Sequence, residues 1–128
     1  MSAASNYLEN KLIDHSLGTT SFTAPSTVYV ALFTSDPTDA GTGTEVSGGG
    51  YARQSATFAA ASSGSASTDA TVTFPTATGN FGTVTHVAIF DAVTTGNMLF
   101  HGAVTTSKTI ETGDTFQIST GNLTISLD

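Results

Sequence analysis

Leu8, Leu12, Ile13 and Leu17 recur at helical spacing, while Glu9, Lys11 and Asp14 fall elsewhere on the wheel, so the pattern predicts one amphipathic helix within residues 5–18. Asn6 and Glu9 have the spacing of a capping box, which starts the helix at Tyr7, and Gly18 supplies the stop. A helix this short is marginal in water by itself. Its stripe is therefore expected to be buried, against the body of the domain or against a neighbouring subunit.

From Ser26 onward the period changes from helical to alternating: short Val, Ile, Thr and Phe runs are separated by Gly, Pro, Asp and Asn. Thr27–Thr34 is apolar on both faces, with Val28, Val30 and Leu32 on one and Tyr29, Ala31 and Phe33 on the other, and predicts a central strand covered on both sides. A long Gly/Thr loop follows over 35–50, of a length that inside a compact domain is usually functional or disordered. Tyr51–Phe58 reads as a weaker strand and Ala59–Ser67 as a small-residue loop. Ala70–Phe74 alternates Val72 and Phe74 with Thr71 and Thr73, a strand with one dry face that Pro75 ends.

A hairpin comes next, Thr83–Asp91 and Asn97–Val104 joined across Thr94, Thr95 and Gly96. Val84, Ala88, Phe90, Met98 and Phe100 are its core or interface positions. Lys108–Ile110, Thr115–Ser119 and Leu123–Leu127 complete the set, with turns at Gly113-Asp114 and Gly121-Asn122. The expected fold class is all-β: one domain over 1–128, an antiparallel sandwich or small barrel of roughly seven or eight strands with one short N-terminal helix.

Composition narrows the function. The chain has 128 residues, close to the commonest domain size, and a chain this long buries roughly two-thirds of the surface it exposes when unfolded. Only 10% of its residues are charged, so the surface is built from hydroxyl groups rather than ions. Such a surface has little self-repulsion per unit area and suits a chain partly covered by partners. Ten acids against three bases, Lys11, Arg53 and Lys108, give a net charge of −7. Three scattered bases cannot neutralise a run of phosphates, which argues against nucleic acid and against an anionic membrane surface. No apolar run approaches the roughly 20 residues of a spanning helix, and the N-terminus shows no signal-peptide pattern. With no cysteine there is no disulfide, thiolate nucleophile or Cys-based zinc site.

The candidate chemistry is thin. His86 and His101 come close to opposing one another if residues near 89 and 99 pair, but a one-residue slip sends them to opposite faces. Asp91 is the one nearby third ligand, at the far end of its strand, so a hydrogen-bonded or interfacial pair of histidines is expected rather than a metal site. If the two rings faced each other in a dry contact, acid would charge both and loosen the assembly. Ser, His and Asp occur without a nucleophile elbow, and Asp36 and Asp39 share one loop rather than flanking an aromatic cleft, so neither a serine hydrolase nor a glycosidase is indicated. Asp36, Asp39 and Glu45 are hard oxygen donors of the kind calcium takes, but their spacing is not that of an EF-hand, and partner contact is the expectation for that loop. The Gly-rich stretches lack the P-loop lysine and the Rossmann spacing. Sugar-binding modules present exposed aromatics, for which Tyr51, Phe58 and Phe81 are the candidates outside the strongest strands.

Three segments carry a resemblance: SNYLENKLIDHSLG (Ser5–Gly18), APSTVYVALFTSDPTDAGTGTEVSGGGYARQ (Ala24–Gln54) and VTFPTATGNFGTVTHVAIFDAVTTGNMLFHGAV (Val72–Val104). They resemble small virion structural proteins of tailed bacteriophages, and the similarity continues to the closing TISLD, Thr124–Asp128. The resemblance implies a chain made in the host cytoplasm and carried in the phage particle, with no enzymatic activity, catalytic residue, metal or cofactor. Its expected partners are itself, as a homotrimer or other symmetric oligomer, and either the major capsid protein or tail components.

No coiled-coil heptads, collagen-like repeats or β-helix period mark a fibre shaft. A capsid decoration or cement protein that oligomerises on the outer shell is therefore the leading expectation, and a tail or tail-fibre-associated structural or receptor-binding protein the alternative. The residues expected at interfaces are Leu8, Leu12, Ile13 and Leu17 on the helix, Asp36, Asp39 and Glu45 in the long loop, and His86 and His101 on the hairpin.

Overall fold

The computed structural model describes residues 2–127, so Met1 and Asp128, the ends of the expected domain, lie outside the described residues. The chain runs β1 (Ala3–Ala4), α1 (Asn6–Ser16), β2 (Val28–Phe33), β3 (Gln54–Ala56), β4 (Ser65–Ser67), β5 (Val72–Thr73), β6 (Gly82–Phe90), β7 (Met98–Ile110), β8 (Gln117–Ile118) and β9 (Thr124–Ser126). An antiparallel five-stranded sheet in the order β1-β7-β6-β2-β3 forms one layer. The two-stranded ladders β4-β9 and β5-β8 stand against it. The class is all-β, a sandwich with one short helix, as the alternating pattern predicts.

β2 is central, between β6 and β3, because its two faces are both apolar. Val30 and Leu32 join Val84, Val87 and Ile89 in the main core, together with Val72 and Phe74. Ala31 and Phe33 look the other way, into a second cluster with Ala88, Phe90 and Met98. The 35–50 loop pairs along the end of β2 and reaches that second face at Asp39, which bonds His101 beside Ala88. Pro37 is among the most deeply buried side chains, Val46 donates its N–H to the Leu32 carbonyl at 2.9 Å, and Glu45 bridges to Phe33. The loop is thus fastened along much of its length, and these contacts offset the cost of ordering it.

The helix begins one residue earlier than the capping-box spacing predicts. Ser5 is the N-cap: its hydroxyl accepts from the Leu8 N–H at 3.1 Å and also donates to the Met98 carbonyl, a buried acceptor that Asn6 does not reach. Gly18 ends the helix as expected, at φ +77°, with Thr19 N–H to Asp14 O at 2.9 Å and Gly18 N–H to His15 O at 3.3 Å forming a Schellman closure.

Two further differences concern strands. β7 is continuous through Ile110, merging the hairpin's second arm with the segment expected as a separate strand at Lys108. Its register jumps from His86↔Ala103 to Val84↔Lys108, so Val104–Ser107 stand opposite the single residue Thr85 as an extended bulge. Ser65–Ser67, read as loop for want of stiffening residues, is β4, held by pairing with Thr124–Ser126.

Candidate functional site

Arg53 organises the polar groups around the sheet's second face, where it lies over Phe90. Its side chain is only 8% exposed, and every nitrogen has a partner: Nε and Nη2 grip the two Glu45 carboxylate oxygens, each at 2.9 Å, while Nη1 donates to the carbonyls of Ala92 at 2.9 Å and Thr95 at 2.7 Å. The guanidinium plane lies 3.7 Å from the centre of the Phe90 ring. Tyr51 completes the group, donating to Glu45 Oε2 at 2.7 Å and accepting the Leu32 N–H at 3.0 Å. One cation therefore ties the 35–50 loop to the β6–β7 turn across an aromatic ring.

The electrostatics follow from this packing. Burial pushes the Glu45 carboxyl up, but the hydrogen bonds from Arg53 and Tyr51 and the adjacent positive charge outweigh it and hold the group below the usual carboxylate range. Burial, then the hydrogen bond to the Glu45 carboxylate, push the Tyr51 phenol far above its ordinary value. Arg53 escaped the sequence reading because its partners come from two loops far apart in the chain. The only hint was a lone arginine in a chain with ten acids.

His101 makes a second tie. Its Nε2 lies 2.7 Å from Asp39 Oδ1 and its Nδ1 3.9 Å from Asp36 Oδ1, with the imidazole largely buried and the carboxylates half exposed. Asp39 also accepts the Asn6 N–H through its carbonyl at 3.0 Å, which joins the helix start to the loop. His86 and His101 share a face but do not oppose each other. His86 pairs with Ala103 and His101 with Ala88, and the His86 ring turns to its neighbour Thr85 at 2.8 Å. The dry histidine contact is absent from this register, and the acid-loosening expectation built on it goes with it. Asp91 is engaged with Asn97 across the turn, well away in the hydrogen-bond pattern from either ring. Among the described residues no three His, Asp or Glu side chains converge as metal ligands.

The helix stripe divides. Leu8 is buried and Leu12 half-buried against the main core, whereas Ile13 is 57% and Leu17 76% exposed. The sugar-platform aromatics do not form a platform: Phe81 is buried, Tyr51 packs edge-on to it with ring centres 5.7 Å apart, and Phe58 turns inward.

The two layers meet incompletely. Between the main sheet and the β4-β9 ladder a cleft of about 310 Å³ opens, walled by Val28, Phe58, Ile89, Leu99, Phe100 and Ile125 with almost no polar surface. Phe100 and Ile125 are also walls of an adjoining, more polar cavity of about 330 Å³ beside β7. Small residues explain the gap, because Ala61, Gly64, Ser65 and Ala66 line the cleft where larger side chains would have filled it.

The described residues thus form a β-rich body with two loops tied by Arg53 and His101 and an apolar seam left open between its layers. Residues 3–126 match the family model described as Podophage GP4 fiber I protein gp80. The chain belongs to that family. It is accordingly a structural protein of tailed-phage virions and a component of the phage particle. No curated protein matches the chain. As a member of the fibre I family it has the match running through both tied loops, the helix and both ladders, so every feature described above lies within the family's own span.

Proposed function

We propose that the chain is a structural module of the phage tail-fibre apparatus, working by assembly rather than by catalysis. The observation that carries this is the match over residues 3–126 to a family described as a fibre protein. It favours the tail over the shell, the second of the two placements expected from the residues. The fold is compatible with the role: loop 35–50 and the β6–β7 turn are pinned by Arg53 and His101, which gives a preorganised, low-charge surface for docking other virion chains.

The test is position and stoichiometry in the particle. Virions would be purified, the chain quantified against the major capsid protein by mass spectrometry, and its place marked with antibody-bound gold. A copy number far below that of the capsid protein, with label on the tail, is the expected result. Copies comparable to the capsid protein, with label over the head, would return the chain to shell decoration.

A further inference from the structure

Two carboxylates of the 35–50 loop share one imidazole, and they share it unequally. The His101 side chain is 11% exposed, and both of its nitrogens look toward the loop. Nε2 lies 2.7 Å from Asp39 Oδ1, a hydrogen bond, whereas Nδ1 lies 3.9 Å from Asp36 Oδ1, just beyond bonding reach. A neutral imidazole carries one N–H, so with Nε2 serving Asp39 it turns a lone pair toward Asp36. A protonated ring carries two, and each then has a carboxylate to receive it. Among the described residues no lysine or arginine pairs with either acid: Arg53 is spent on Glu45 and two carbonyls, Lys11 stands over the Tyr7 ring, and Lys108 lies further along β7 opposite Val84. The other elements around the ring bring no competing charge to it. β1 places Ala3 opposite and β6 places Ala88 opposite, His86 on β6 turns to Thr85, and Asp91 is engaged with Asn97. On α1, His15 accepts the Phe22 N–H, and neither Glu9 nor Asp14 pairs with the ring.

We propose that His101 is a proton-operated latch for the tip of the 35–50 loop: acid gives the ring its second N–H, draws Asp36 in beside Asp39, and tightens the loop on β7 and on the start of α1. The helix is coupled because the Asn6 N–H donates to the Asp39 carbonyl at 3.0 Å. The Asp36 side chain is 59% exposed and has room to close the roughly 1 Å that separates it from a hydrogen bond. The movement is confined to the tip. Thr34 N–H to Thr44 O, Val46 N–H to Leu32 O and the Arg53–Glu45 pair anchor the rest of the loop in either state of the ring. The sign follows from which form gains a partner. A base whose charged form gains a carboxylate on folding holds the structure at low pH and releases it as pH rises through the histidine range. That is the reverse of the loosening by acid which two facing histidines would have given. Asn6 and Asp39 also line a depression of about 440 Å³ with Gly41 and Asn97, so the proton sets the shape of that surface. None of this depends on where in the virion the chain stands.

The Asn6 amide reads the latch directly. Its hydrogen-exchange protection factor would be measured by NMR on the full-length chain from about pH 8 to about pH 5.5, a window that spans the ordinary histidine range and keeps ordinary carboxylates charged. The expected result is a rise of more than about three-fold toward acid, the size of a partly exposed ion pair. His101→Gln keeps a donor for Asp39 but takes up no proton, and is expected to give a flat profile. Asp36→Asn keeps the oxygen that accepts the Thr38 N–H at 2.8 Å and leaves the Asp39 contact alone, yet is expected to lose most of the rise. The substitution lies on an exposed side chain, so it tests the latch in a folded chain even if His101→Gln fails to fold. Protection that stays level or falls toward acid in the native chain would overturn the proposal. So would a rise that persists in His101→Gln, which assigns it to His15 or His86, or one undiminished in Asp36→Asn, which leaves Asp39 as the sole acceptor.

Discussion

The guanidinium of Arg53 stacks 3.7 Å from the centre of the Phe90 ring while both its edges are spent on other groups, Glu45 on one side and the Ala92 and Thr95 carbonyls on the other. The stack places a cation over the small apolar cluster of Ala31, Phe33, Ala88, Phe90 and Met98. It seals that cluster where the loop and turn meet.

Removing this side chain strands a half-buried carboxylate and two turn carbonyls. Arg53→Ala is expected to cost about 3–5 kcal/mol in urea denaturation, the cost of breaking a buried pair from one side. Arg53→Lys should recover only a minor part, since an ammonium cannot span the carboxylate and both carbonyls or stack flat on Phe90. Full stability in Arg53→Lys would show that charge alone, and not the planar fork, holds the loops.

Stability should depend on pH through the same group. Glu45 has a lowered value in the folded chain, so its contribution is present above the ordinary carboxylate value of 4.5 and is lost as pH falls through the folded value. Tyr51 has a raised value, so its contribution is present below 10.0 and is lost as pH climbs above that. In thermal melts across pH, Glu45→Gln is expected to flatten the acid limb and Tyr51→Phe the alkaline limb. At neutral pH, Tyr51→Phe should also cost about 1–3 kcal/mol, because the Leu32 N–H loses its acceptor. Unchanged limbs in both variants would remove this cluster as the source.

The identity of the cap is testable by a pair of alanines. Ser5 is buried and serves both the helix and the Met98 carbonyl, so Ser5→Ala is expected to lower stability by roughly 1–2 kcal/mol. Asn6→Ala, on the exposed first residue of the helix, should change it by less than about 0.5 kcal/mol. Equal costs in chemical denaturation would contradict the cap assigned here.

A close backbone approach makes a further prediction. A Cβ on Gly49 would meet the Gly79 carbonyl oxygen at 2.5 Å, and the residue sits at φ +61°. Gly49→Ala is expected to destabilise by more than about 1 kcal/mol, because strain adds to collision with backbone that cannot swing aside. Gly48→Ala next to it, also at positive φ but with open space around it, should cost less. The two variants compared by thermal melting separate packing from backbone strain.

How much was legible varied with the range of the interaction. The double-sided apolar pattern of Val28–Phe33 announced a central strand, and the Gly18 stop, the Pro75 break and the turn before Asn97 are local chemistry that the chain spells out. The cap was misplaced by one residue because Asn6 and Ser5 are both good caps, and the choice was made by a carbonyl 93 positions away. β4 was invisible because Ser65–Ser67 has no strand propensity and extends only by pairing with β9.

The place in the virion shows the same limit. Missing shaft periods weighed toward the capsid and the family match weighs toward the tail, because a period reveals only a shaft and its absence does not separate one compact virion module from another. Expected interface residues were legible as a stripe, not as a partition: Leu8 and Leu12 turn inward while Ile13 and Leu17 remain outside.

The sequence by itself determined the all-β class, the single helix, the central strand and the poverty of ionic chemistry, because these follow from composition and from periods read within a few neighbouring residues. Tertiary structure alone decided that Arg53 clamps two loops, that His101 answers Asp39 rather than His86, and that the sandwich stays open along Phe100 and Ile125. Those outcomes depend on register and on which distant surfaces meet, and a one-residue shift in either redirects every side chain that the local pattern had left free.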